Sequence, residues 1–349
     1  MALAAGAGLL LAPANLLWRF QSIEAMGWAA ALAFVRNAGF AVCALVFFRP
    51  GDSLAKAGWF EAAAVGASGA LGWAAWRYAL GRPAPRLMPS LGDVLRRLGP
   101  ATAVGLAHLS WAALWFLPLT LLGLRVHDES LGWFAAAHRA VMALHTFVWW
   151  YFFNLLPTAS RGADRPPGEE RAILERSLVF AAWGAGLGAL AVAWIGGPIL
   201  RFAYGGAFAE AGAYLAVLVW SIPLAALSGH DRTIMLARGL ERPLLRATTV
   251  GAVVAAGISL FGAEAWGAWA GAAGLAAGNA VVLALCRRVA APIVPSIAFG
   301  RMILKPSVAV AVGAAPLLFG SAASFSERAA LGLGGALLAG WLWRARAIH

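Results

Sequence analysis

Long apolar blocks, most of them close to twenty residues, alternate with short charged segments along the whole chain. Blocks of that length match the roughly 20 residues an α-helix needs to cross a hydrocarbon core about 30 Å thick. They lack the period-2 alternation of barrel strands, and in lipid each span must satisfy its own backbone N–H and C=O groups. The pattern therefore predicts an all-α, polytopic membrane bundle. Spans are expected near residues 1–17, 27–48, 59–80, 98–123, 131–157, 174–196, 209–229, 244–262, 265–286, 302–320 and 327–343, about eleven in all. The opening block has no basic n-region and runs straight into Trp18-Arg19-Phe20-Gln21, so it reads as a span rather than a cleavable signal.

Composition agrees with this solvent. Of 349 residues, 62% are hydrophobic and 12% charged, with a mean hydropathy of +0.76, whereas a soluble domain carries about 25% charged residues. The net charge of +12 would suggest nucleic acid in a soluble protein, but its carriers sit in short loops between apolar blocks rather than on one face. Nucleic acid is excluded as a partner; membrane lipids with anionic headgroups are expected instead. One set of loops holds most of the 27 Lys and Arg residues: Arg19; Arg77 to Arg97; Arg161 to Arg176; Arg232, Arg238, Arg242 and Arg246; Arg287 to Lys305; and Arg344 and Arg346. The alternate set holds only Arg49, Lys56, Arg125, Arg201 and Arg328. The positive-inside rule then puts the C-terminus in the cytoplasm and Met1 outside.

The basic segment 81–97 contains Pro83, Pro85 and Pro89 and reads as a cytoplasmic linker between residues 1–80, with three spans, and residues 98–349. Ser160 to Glu175, with the adjoining Arg176, balances four arginines against four acids and reads as a solvated loop with local ion pairs. Cys43 and Cys286 fall inside spans as small packing residues. Gly267-x-x-x-Gly271 and Gly274-x-x-x-Gly278 point to close helix contacts, and Pro118, Pro157, Pro198 and Pro223 to bends.

Few residues carry chemistry. A charge at mid-membrane costs about 2.5–3.5 kcal/mol on insertion scales, so one that persists faces a cavity or a partner. Arg36 and Arg139 qualify, and neither has an acidic residue at similar depth in its own helix. Guanidinium binds phosphate oxygens bidentately, so an anion from outside the protein is a natural complement; pairing with backbone carbonyls or snorkelling is the alternative. The Arg139 span also carries His138 and His145, seven residues apart and on roughly one face, together with Asn154 and an aromatic run from Phe147 to Phe153. The two histidines are about 10 Å apart along the axis, too far to share a metal without further ligands. They read as lining for a wet cavity, with His108 of the preceding span, or as interhelical hydrogen-bonding groups. No metal, cofactor or catalytic residue is assigned: HExxH and Gly-x-Ser-x-Gly patterns are absent, and the external loops are too short for the carboxylates of a membrane glycosyltransferase.

Several motifs resemble one family in order as well as in type. Trp18-Arg19-Phe20-Gln21-Ser22-Ile23-Glu24-Ala25-Met26 resembles the Trp-x-Phe-Gln-x-Leu-Glu-x-Met stretch between the fourth and fifth helices of polysaccharide and O-antigen flippases, in the multidrug/oligosaccharidyl-lipid/polysaccharide exporter superfamily. Leu131-Gly132-Trp133-Phe134-Ala135-Ala136-Ala137-His138-Arg139 resembles the family's Gly-x-Phe-x-Ala-Ala-x-Arg stretch, and Leu155-Leu156-Pro157-Thr158-Ala159-Ser160-Arg161 its Leu-x-Pro-x-x-Ser-Arg stretch. Phe202-Ala203-Tyr204-Gly205-Gly206-Ala207-Phe208 resembles the external loop before its tenth helix.

This resemblance implies a two-lobed, MATE-like bundle in a bacterial cytoplasmic membrane that alternates between inward-open and outward-open states. Its substrate would be an undecaprenyl-diphosphate-linked oligosaccharide. Arg139 falls on the Ala-Ala-x-Arg position and Arg36 in the fifth helix, both as diphosphate ligands, with His138, His145, His108 and Asn154 lining the cavity. A monomer is expected, alone or with polysaccharide-assembly proteins. Members have six helices in the first lobe, so the first three are missing here; a misplaced start, a fragment or a split protein would each account for that. An ion-coupled small-molecule exporter of the same fold and an inactive fragment are the alternative functions.

Overall fold

The computed structural model describes residues 10–11, 15–23, 25–49, 51–81, 91–161, 166–294, 298–319 and 334. Among these residues it is helical, with no strand. The chain divides into two compact units, Met1–Val94 and Leu95–His349.

The first unit contains α1 (Leu17–Ser22), α2 (Met26–Phe47) and α3 (Leu54–Ala74), the last running into a π-helical turn at Ala75–Ala79. Its core is small: Phe20 and Leu32 are fully buried, beside Leu16, Ala29, Ala75 and Trp76. Phe20 meets Trp76 edge-on with ring centroids 5.7 Å apart. The Ala25 N–H donates to the Phe20 carbonyl at 2.8 Å and closes the turn from α1 into α2. The described part of the Trp18 to Met26 motif thus makes this turn. Ser68 donates to the Leu32 carbonyl at 3.0 Å, tying α3 to α2.

The second unit contains α4 (Leu91–Leu122), α5 (Glu129–Ser160), α6 (Pro167–Tyr204), α7 (Ala211–Leu218), α8 (Ser221–Ala237), α9 (Glu241–Trp266), α10 (Trp269–Ala290) and α11 (Phe299–Phe319). Asp128 caps α5, its side chain accepting from the Ser130 N–H at 3.0 Å. The Ser130 hydroxyl also bonds that carboxylate, which holds the carboxyl below its usual range. Helix α6 starts with Pro167 in its first turn, where the missing N–H is an orphan in any helix. Gly205 (φ +89°) ends α6 and Gly267 (φ +53°) ends α9, in conformations that favour glycine. The tightest contact is α9 against α10. A Cβ on Gly278 would meet the Gly251 carbonyl oxygen at 2.7 Å and one on Gly274 the Ala255 carbonyl oxygen at 2.6 Å, so small residues set the distance between these helices.

Seven helices among the described residues are long and apolar enough to cross a membrane. Five of the seven correspond to expected spans with boundaries shifted by a few residues, and two show larger departures. Helix α6 begins at Pro167, so most of the segment expected as a solvated loop is helical, with Arg171 and Glu175 paired one turn apart at 2.8 Å. The span expected at 209–229 runs on to Ala237 and is interrupted between α7 and α8. Pro223 has no N–H for the Val219 carbonyl, which instead accepts from Ile222 at 2.9 Å. The spans expected at 59–80 and 302–320 fall on α3 and α11, outside the group of seven. Those at 1–17 and 327–343 lie largely outside the described residues. Gly267 lies in a turn, so only Gly271, Gly274 and Gly278 of the two small-residue patterns serve helix contact.

Charges in the second unit collect at two ends. At one end Arg125 pairs with Glu264 at 3.0 Å, and the Trp133 indole N–H donates to the Ala207 carbonyl at 2.9 Å, joining the start of α5 to the loop after α6. At the other, Arg238 pairs with Glu170 and Arg287 with Asp231. Apolar helix between two charged ends is the distribution a bilayer demands.

Candidate functional site

Helix α5 turns two different faces to its surroundings. Phe134, Ala137, His138, Val141 and His145 are buried. Arg139, one residue and therefore about 100° round the helix from His138, is exposed. Among the described residues the Arg139 guanidinium has no hydrogen bond or ion pair, although it lies in a membrane-spanning helix.

His138 is 2% exposed; its Nε2 lies 2.9 Å from the Trp115 carbonyl oxygen, and its ring stacks on Phe134 with centroids 6.0 Å apart. It is a packed interhelical residue joining α5 to α4. His145 is 7% exposed and lies against Trp115 and Trp111, with centroids 4.2 and 5.7 Å away. Its Nε2 is buried without a hydrogen-bond partner among the described residues. Asn154 is exposed and donates to the Trp150 carbonyl of its own helix at 2.8 Å.

His108 lines a cavity of about 430 Å³ between α4, α5, α8 and α9. Trp111, Trp149, Phe152 and Phe153 supply most of its aromatic wall, and the cation in it is Arg232. The Arg232 guanidinium carbon sits 3.6 Å from the centroid of the Trp111 ring. Its Nε is buried with no hydrogen-bond partner among the described residues. A Cβ on Gly229 would meet the Phe152 ring at 2.6 Å, so the bare glycine lets that ring form the wall.

Sequence reading placed Arg232 in a cytoplasmic loop; the structure corrects this. Helix α8 continues through Arg232 and the apolar Ile234-Met235-Leu236 to Ala237. The overlooked signal was that apolar turn, and a hydropathy reading that ends a span at the first charge misses it. The preceding residue, Asp231, is fully buried and pairs with Arg287 of α10 at 2.9 Å. The fully buried His230 places its Nδ1 3.5 Å from the same carboxylate oxygen and its Nε2 3.1 Å from the Leu174 carbonyl oxygen.

Arg36 belongs to the first unit. It has a partner that the sequence did not assign: Glu61 of α3, whose Oε1 accepts from the Arg36 Nε at 3.0 Å and also from Nη2. Both side chains are partly exposed on the α2–α3 surface. The two arginines singled out from sequence therefore differ, one neutralised by a carboxylate and the other not.

Residues 4–163 match the family described as "polysaccharide biosynthesis protein". The match bears out the resemblance to polysaccharide and O-antigen flippases and covers three of the four motifs that carry it, through Arg161. No curated protein matches the chain.

Proposed function

We propose, from the match of residues 4–163 to the polysaccharide biosynthesis family, that this multi-pass helical membrane protein is a transporter. It flips a polyprenyl-diphosphate-linked oligosaccharide across the bacterial cytoplasmic membrane by alternating access, with its C-terminus in the cytoplasm. The observation that carries the reading is Arg139, an exposed arginine in a membrane span with no acceptor among the described residues. Keeping such a charge at mid-membrane costs about 2.5–3.5 kcal/mol, and a diphosphate offers oxygens for a bidentate contact. Arg36, within the first unit, is the second proposed phosphate ligand, exchanging Glu61 for phosphate oxygens.

The ion-coupled exporter is supported by Glu61 itself, an acid within an apolar helix of the first unit. That carboxylate is engaged by Arg36 rather than held for a cation, which favours the flippase reading. The test is complementation of a flippase-deficient strain by the full chain. Arg139→Ala is expected to abolish complementation while membrane insertion, followed by fractionation, is unchanged. Growth equal to wild type would remove Arg139 as a phosphate ligand.

A further inference from the structure

Two buried hydrogen-bond donors at the Arg232 cavity, the Arg232 Nε and the Trp111 Nε1, lack an acceptor among the described residues. The two hydroxyls in the cavity wall point at backbone carbonyls, Thr233 donating to that of Gly229 at 2.9 Å and Thr248 to that of Leu244 at 3.1 Å, and neither oxygen accepts from the Arg232 Nε. The neighbouring carboxylate, Asp231, pairs through Oδ1 with Arg287, while its Oδ2 is buried without a partner among the described residues and does not accept from Arg232. A guanidinium packed flat on an indole beside His108, within an apolar wall, is complemented by an acceptor-rich anion.

We propose that this cavity binds the phosphodiester headgroup of an anionic membrane lipid through Arg232 and His108. One fixed cation matches the single charge of a phosphodiester, whereas a diphosphate would bring a second charge without a partner. A volume of about 430 Å³ lies towards the lower end of the range for small-ligand sites, about 300–1,000 Å³, which suits a lipid headgroup. Depth agrees as well. Arg232 lies five residues before the end of α8, roughly 7.5 Å along the axis, which is the level of the headgroup and acyl boundary. The basic residues Arg238, Arg242 and Arg246 follow at that end of the unit, where anionic lipid gathers. Trp149 and Phe153 flank the glycerol and first methylenes, the amphipathic role aromatic rings take at a membrane interface. His108 and Trp149 are exposed, so the cavity is open to the surface of the second unit.

This inference stands apart from the flippase reading, since a bound lipid is not the transported one. The test titrates delipidated full-length protein in detergent with phosphatidylglycerol and counts bound lipid by native mass spectrometry. One lipid is expected to bind more tightly than the rest, with its affinity lowered at least about tenfold by Arg232→Gln. Arg232→Lys, which keeps the charge and loses the planar fork, is expected to lower it by a smaller factor; Arg301→Gln leaves it unchanged. Thermal unfolding without lipid identifies a variant that fails to fold, and if Arg232→Gln does so, Arg232→Lys decides the matter alone. Equal affinity in wild type and the folded Arg232 variants overturns the proposal. So does phosphatidylcholine binding as tightly, or inorganic phosphate displacing the lipid at equal concentration. Undecaprenyl diphosphate held through Arg232 against excess phosphatidylglycerol would overturn it too, by assigning the cavity to the transport path. Loss of flipping in Arg139→Ala with lipid binding intact would leave this inference standing.

Discussion

Arg36 and Arg139 look alike in the sequence, each a lone basic residue in an apolar run, and the structure gives them opposite electrostatic positions. Arg36 already has a counter-charge in Glu61, twenty-five residues away on the next helix. Reading each span by itself hides that partner, because helix–helix pairing is not contained in one helix's pattern. The distinction leads to a test: Arg36→Ala is expected to reduce complementation, and adding Glu61→Gln is not expected to restore it. Recovery in the double variant would reduce Arg36 to a counter-charge for Glu61. His138 shows the same limit from the other side. Its spacing from His145 correctly predicts a shared face, yet spacing does not say that the face is packed against Trp115 and Trp111. Arg232 was hidden for a third reason, since a charged residue was taken to end a span that runs on for another turn.

At the level of elements, most helices were legible because their apolar blocks are long and their ends are marked by charge, proline or glycine. What the pattern lacked was how helices pair. The α9–α10 contact shows the energetic stake: glycines at 251, 274 and 278 allow backbone approach that a single methyl group would prevent. Gly278→Ala places a Cβ 2.7 Å from a backbone oxygen, an atom that gives way only if the helix moves. Overpacking of this kind costs about 1–3 kcal/mol. The variant is expected to lower the melting temperature of the detergent-solubilised protein by several degrees. Gly257→Ala, with open space around it on the same helix α9, is expected to leave it unchanged.

For the whole molecule, the informative pattern is the separation of charge. The start of α5 meets the loop after α6 through Trp133 and Ala207, while the ion pairs of Arg238 and Arg287 lie at the opposite end of the second unit. The positive-inside rule assigns the richer basic end to the cytoplasm. In a background with Cys43 and Cys286 replaced by serine, a membrane-impermeant thiol reagent on intact cells is expected to label His127→Cys and Ala207→Cys, and to spare Ser160→Cys until the cells are permeabilised. The reverse pattern would invert the topology and with it the side from which substrate enters. The separation of charge was legible in the sequence because loop charge alternation survives errors of several residues in any one boundary.

Helix α6 runs for 38 residues, roughly 57 Å at 1.5 Å per residue, against a hydrocarbon core of about 30 Å. Its charged residues concentrate in the first ten positions, from Glu169 to Arg176, and Glu170 anchors that end to Arg238. Those first ten residues, roughly 15 Å of the excess, therefore form a stiff post on that charged side, tied to α8 through Arg238. A fluorophore or a rigid fusion protein attached to its outer face would follow the second unit without linker slack, giving a ruler for any rocking motion of the kind the proposed alternating access requires.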